Sequence, residues 1–126
     1  MEKRVLNRSR IRSIDGSFAF IPHRFLTDGF LDMLSPPELL LYLFLVLAAD
    51  ANGLSYYGDK RTCRLLEMSQ QELIRSREVL VDLDLIEYET PLYQVLDLPY
   101  IPEEIRDESF DAPVSSFSDL FRMTED

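Results

Sequence analysis

Apolar positions along this chain repeat with two different periods, and the changes of period mark the elements. Residues 10–21, "RIRSIDGSFAFI", alternate apolar and polar on either side of Asp15-Gly16. That dipeptide suits a two-residue turn with positive φ at both central positions, so the stretch predicts an N-terminal β-hairpin. Arg8, Arg10 and Arg12 then share one strand face. "HRFLTDGFLDML" follows as a short helical or irregular connector offering Phe25, Leu26, Phe30, Leu31 and Leu34 to the core. Ser35-Pro36-Pro37-Glu38 is a sharp helix start: serine caps the first amides, proline at the first helical position forfeits no bond, and glutamate three residues on reaches back to the serine amide. The helix is expected to run to about Ala51 and stop at Asn52-Gly53. With apolar residues on nearly every side, it should be buried all round.

Beyond it, "LSYYG" is short, aromatic and bounded by glycines, and reads as a small strand. A second helix is expected over Asp59 to Glu67, with Thr62, Cys63, Leu65 and Leu66 inward and Lys60, Arg61 and Arg64 outward. Ser69-Gln70-Gln71-Glu72 repeats the capping logic, so a third helix starts one residue later, with Leu73, Ile74, Leu80, Val81 and Leu83 inward and Gln71, Glu72, Arg75, Glu78 and Asp82 outward. "LIEYETPLYQVLDL" then alternates in two runs around Thr90-Pro91 and predicts a hairpin against the helices.

The order helix, short strand, helix, helix, hairpin resembles the winged helix-turn-helix domains of bacterial regulators and of phage and plasmid replication-initiation proteins. The resemblance covers Ser35 to Leu98 and is carried by "LSPPELLLYLFLVLAADANGLSYYG", "CRLLEMS" and "LVDLDLIEYE". Two glycines usual in that class are replaced: one in the helix-helix turn by Glu67 or Met68, the other before Leu85-Ile86 by Asp84. Both replacements require left-handed or bridge geometry, which aspartate tolerates better than glutamate. In docked members of the class the second helix of the pair enters the major groove and the first crosses the backbone. The resemblance therefore implies that Gln70, Gln71 and Arg75 approach base edges, since glutamine pairs adenine and arginine pairs guanine through two bonds. Ser69, Lys60, Arg61 and Arg64 would hold phosphate, Arg77 would add its charge, and Arg8, Arg10 and Arg12 would add backbone or minor-groove contacts. Arg77 has a plainer use: covering the core with its stem and pairing with Glu78 or Asp82.

Charge complicates this picture. The chain of 126 residues has a formal net charge of −10, yet residues 1–12 carry +4 and residues 97–126 carry −7. Because affinity for nucleic acid comes from neutralised phosphates, local positive charge counts for more than the total. The expected wing works against DNA, since Glu87 and Glu89 stand there with no lysine or arginine.

Catalytic chemistry finds little support. His23 is the only histidine and Cys63 the only cysteine, so no zinc site of Cys and His ligands and no disulfide is expected. The four glycines are scattered and form no phosphate loop. Neither an enzyme nor a cofactor is expected. The apolar run Leu39 to Ala49 has only about half the length that a helix needs to cross a bilayer. No secretory leader opens the chain, so a cytoplasmic protein off the membrane is expected.

The C-terminal stretch is read as an acidic, partly flexible tail whose last part groups Phe117, Leu120, Phe121 and Met123 at helical spacing, as in a helix that docks on a protein partner, its own domain or a dimer mate. The expected class is thus α+β, with a basic arm, hairpin and connector over 1–34, a winged helix over 35–98 and the tail over 99–126. Double-stranded DNA is the expected partner, in regulation or as a replication or mobile-element accessory. The rival reading is an acidic protein-protein interaction module on the same scaffold, imitating the charge of DNA.

Overall fold

The computed structural model describes residues 2–100; within them Ala19–Tyr100 is one compact unit and residues 2–18 are taken by themselves. The compact unit is α+β. It runs α1 (Arg24–Thr27), α2 (Pro36–Ala48), β1 (Leu54–Ser55), α3 (Asp59–Leu66), α4 (Gln70–Asp82), β2 (Ile86–Glu89) and β3 (Leu92–Val95), with a 3-10 turn at Leu31–Met33.

α2 begins where its capping sequence places it, and the Ser35 N–H donates to Glu38 Oε1 at 2.9 Å. It ends at Ala48, short of the expected Ala51, because Asp50 organises a turn of its own. The Asp50 carboxylate accepts from the Asn52 and Leu54 N–H groups at 2.8 and 2.9 Å, and its carbonyl accepts from Gly53 at 3.0 Å. Gly53 is left-handed, with φ +84°, but it serves the sheet and not the helix end. Its carbonyl accepts from the Val95 N–H at 2.8 Å, and a Cβ there would lie 2.5 Å from the Val95 carbonyl oxygen.

The sheet is antiparallel with order β1-β3-β2. Leu54 faces Gln94 and Ser55 faces Tyr93, while Ile86 to Glu89 pair with Val95 to Leu92 across the Thr90-Pro91 turn. Leu41, Tyr42, Leu45 and Val46 of α2 meet Leu73 and Leu80 of α4 over Leu85, Ile86 and Tyr93, and all are buried. Phe25 of α1 stacks on Tyr42 with ring centroids 4.9 Å apart. Phe30 stacks on Phe25 in turn, at 6.2 Å, so the connector does reach the core. Leu26, by contrast, stays 40% exposed.

Arg24 ties the two ends of the unit together. Its guanidinium donates to Asp28 Oδ2 at 2.9 Å, to the Leu98 carbonyl at 3.4 Å and to the Pro99 carbonyl at 2.7 Å, and it lies 4.3 Å over the Tyr100 ring.

Three expectations are corrected. No strand forms over residues 2–22: Arg8–Arg10 make a 3-10 turn capped by Asn7, and Asp15 lacks the positive φ that the turn required. The apolar positions meant to drive pairing, Ile11, Ile14, Phe18 and Phe20, are 63 to 72% exposed. A two-stranded hairpin with no face to bury is at best marginal. Arg8, Arg10 and Arg12 therefore share no strand face. Second, α2 is not buried all round. Leu41, Tyr42, Leu45 and Val46 take the core face, and Leu40, Leu43 and Leu47 are exposed on the other side. Third, Leu65 on α3 and Ile74 and Val81 on α4 face outward, while Ser76 takes a buried place on the inner face of α4. The expected docking residues Phe117, Leu120 and Phe121, with the rest of 101–126, lie outside the described residues.

Candidate nucleic-acid interface

The elements that present the candidate side chains are α3 and α4, and two left-handed residues shape them. α3 ends at Glu67, with φ +53°, where the N–H groups of Glu67 and Met68 both donate to the Cys63 carbonyl. The 6→1 bond over a left-handed residue is the Schellman ending that usually takes glycine. Met68 alone then separates that residue from Ser69, which caps α4: Glu72 N–H donates to Ser69 Oγ at 3.1 Å, and Ser69 N–H donates to Glu72 Oε1 at 3.0 Å. α4 ends in the same manner. Asp84 is left-handed at φ +62°, Asp84 N–H donates to the Val81 carbonyl and Leu85 N–H to the Leu80 carbonyl, both at 3.0 Å. Leu80 and Leu85, brought together by that ending, are fully buried. Both missing glycines are thus replaced by acids that adopt the glycine geometry.

On this frame Lys60, Arg61 and Arg64 are exposed on α3. The Arg61 guanidinium lies 4.9 Å from the Tyr57 ring, and Tyr57 meets the edge of Phe44 on α2, so the arginine rests on a platform fixed to the core. Gln70, Gln71 and Arg75 are exposed on the outward stripe of α4, which also carries Ile74, Glu78, Val81 and Asp82. Ser69 is exposed, with its oxygen committed to the cap. Arg8 and Arg10 occupy the 3-10 turn, and they and Arg12 are exposed.

Arg77 does not belong to this surface. Its Nη1 donates to Asp59 Oδ1 at 3.0 Å and to the Tyr93 hydroxyl at 2.9 Å, and its guanidinium lies 4.2 Å over the Tyr88 ring. Neither Glu78 nor Asp82 is its partner in these bonds. Its side chain is 13% exposed, and burial works against the charge, but the hydrogen bonds to Tyr93 and Asp59 outweigh burial and hold the guanidinium pKa above its usual value. The same network joins the start of α3, the middle of α4 and both strands of the hairpin. Burial raises the Tyr93 pKa, with Arg77 opposing, and burial alone raises that of Tyr42.

The sequence pattern missed Ile74, Leu65 and the Arg77 network. Ile74 looked like core beside buried Leu73, and Leu65 because a leucine on a short helix is ordinarily turned inward; Asp59 is 18 positions from Arg77, too far for local spacing to link them. Cys63 is a half-buried free thiol. Among the described residues no helix is long and apolar enough to cross a membrane. Comparison with known proteins finds no family model, no curated protein and no solved structure that matches this chain.

Proposed function

We propose that the chain is a cytoplasmic winged helix-turn-helix protein that binds double-stranded DNA, as a regulator or as a replication or mobile-element accessory, with α4 in the major groove and the β2-β3 hairpin as a reduced wing. One observation carries this reading: a doubly capped α4 presents Gln70, Gln71 and Arg75 to solvent, one tight left-handed turn after an α3 that presents Lys60, Arg61 and Arg64. Exposed Ile74 fits among the readers, because an apolar side chain beside glutamine and arginine suits a thymine methyl. Arg8, Arg10 and Arg12 supply sequence-independent charge. The wing contributes none, as Glu87 and Glu89 are exposed.

A titration of random duplex DNA at two salt concentrations tests the reading. Binding should weaken as salt rises, and changing Arg61 and Arg64 to alanine should weaken it on every sequence and flatten the salt dependence. Arg75→Ala should instead cost about 1–3 kcal/mol at one preferred base pair. No binding at low salt overturns the proposal. A second reading, an acidic module that recognises protein, draws on the outward Leu65, Ile74 and Val81 and on the acids Glu78, Asp82, Glu87 and Glu89 around them. On that reading the alanine changes at Arg61 and Arg64 leave the protein's binding partner bound.

A further inference from the structure

Arg61 is held in place by a ring and by no acid. Among the described residues three arginines lie over tyrosine rings: Arg24 over Tyr100, Arg61 over Tyr57 and Arg77 over Tyr88. Arg24 and Arg77 also pair with carboxylates, those of Asp28 and Asp59. Arg61 pairs with none of the described acids, although the chain has 23 acids against 13 lysines and arginines. Asp59, two residues before it, is turned to Arg77 instead. We propose, on the DNA reading of the α3-α4 surface, that Tyr57 is a positioning residue which holds Arg61 as the fixed phosphodiester anchor of that surface, and so sets the register in which α4 meets the bases.

The first turn of α3 brings the pair together. Buried Thr62 donates its N–H and its hydroxyl to the Gly58 carbonyl, both at 3.0 Å, which closes the backbone between Tyr57 and Arg61 into one turn. Four residues apart, ring and guanidinium then stand on one side of that turn, 4.9 Å from each other. Tyr57 is fixed in its turn by Phe44 of α2, whose ring meets it edge-on at 5.1 Å and 73°. Stacking covers a face of a guanidinium and leaves its in-plane N–H groups free to take a phosphodiester through both of its oxygens. Lys60 and Arg64 are exposed on the same helix, and neither lies over a described ring. An arginine already ordered avoids most of the entropy cost that binding imposes on a free one. Contacts to phosphate carry no sequence information of their own, but they fix how a protein sits on the duplex.

The full chain and its variants are titrated with random-sequence duplex DNA at low salt and over a salt series. Tyr57→Leu keeps an apolar contact on Phe44 but removes the ring from Arg61. It should weaken binding about 2- to 10-fold, the worth of ordering one long side chain, and leave the salt slope as it is, because no charge is lost. Tyr57→Phe, which restores the ring, should recover that loss. Arg61→Ala should lower the slope by about 0.9, the share of one phosphate, and in its background Tyr57→Leu should cost nothing further. Circular dichroism and the thermal midpoint show whether Tyr57→Leu folds as the parent does. Where it does not, Arg61→Lys decides, at a position already in solvent: it keeps the charge and the slope, loses the planar stack, and should weaken binding by a similar factor of about 2 to 10. A parent that binds no duplex at low salt overturns the DNA reading and this anchor with it. A parent that binds, with Tyr57→Leu or Arg61→Lys binding as tightly, overturns the anchor alone. So does a Tyr57→Leu loss of the same size with and without Arg61, which would make Tyr57 a support of the fold only.

Discussion

Replacing Arg77 by alanine tests whether the polar network under the α3-α4 pair holds the helices to the sheet. The guanidinium makes two hydrogen bonds, at 2.9 Å to Tyr93 and 3.0 Å to Asp59, and covers the Tyr88 ring at 4.2 Å. A hydrogen bond to a charged group contributes about 1.5–3 kcal/mol. The Asp59 side chain is 31% exposed. Water therefore replaces much of what it loses, and its share falls to about 1 kcal/mol or less. Tyr93 is 1% exposed. Its hydroxyl would be left without this donor at the cost of about 1–2 kcal/mol. The contact with Tyr88 adds about 0.5–1 kcal/mol. Arg77→Ala should therefore cost about 3 kcal/mol, Asp59→Ala about 1, and the two should be non-additive because they remove one shared bond. With no tryptophan in the chain, urea unfolding is followed by far-ultraviolet circular dichroism with tyrosine fluorescence as the second probe. A loss below about 1 kcal/mol for Arg77→Ala, or additivity of the two changes within about 0.3 kcal/mol, would refute the reasoning.

Gly53 is left-handed and its Cβ would meet the Val95 carbonyl, so Gly53→Ala should cost about 2 kcal/mol or more, and hydrogen exchange at Val95 should accelerate with it. Gly58→Ala, where a Cβ meets open space, should cost less, about 0.5–1 kcal/mol, from the loss of a favoured N-cap residue of α3. Glu67→Gly should stabilise by about 0.5–1 kcal/mol, since it relieves a left-handed non-glycine residue and removes an acid from a helix C-terminus; an unchanged or lower midpoint would mean that Glu67 is unstrained. Tyr42 and Tyr93 hold their protons more tightly folded than unfolded, so the stability they protect is whole below their ordinary value near 10 and is lost as pH rises above it. Urea midpoints flat to about pH 9.5 and falling beyond should result, and Tyr93→Phe should reduce the fall.

The helix starts were legible because capping is local: Ser35 with Glu38 and Ser69 with Glu72 each place a start within one turn of chain. The hairpin turn at Thr90-Pro91 was legible for the same reason. What failed was whatever depends on a neighbour far along the chain. Alternation around Asp15-Gly16 has the right period for a strand, but pairing needs a surface to cover, and none receives Ile11, Phe18 or Phe20. α2 is apolar all round, so its sequence holds no mark of which face meets α4, and only packing separates Leu41 from Leu40. In the candidate interface the exposed cations of α3 and the glutamines of α4 followed from helical period. Arg77 did not, because a partner 18 positions away and two tyrosines on the hairpin decide its fate.

The clamp formed by Arg24 bears on the order in which the unit is assembled. Its bonds to the carbonyls of Leu98 and Pro99 span 74 and 75 positions, so they close a ring that encloses nearly the whole unit. Closing so long a loop early would cost chain entropy with little yet gained in return, whereas closing it after α2, α4 and the sheet have met costs only the ordering of a short end. The clamp should therefore close only after the helices and the sheet have met. Because the Arg24 side chain is partly exposed and Tyr100 is 81% exposed, Pro99 and Tyr100 should be the first to come loose, while Leu98, 5% exposed, stays anchored with the helices and strands.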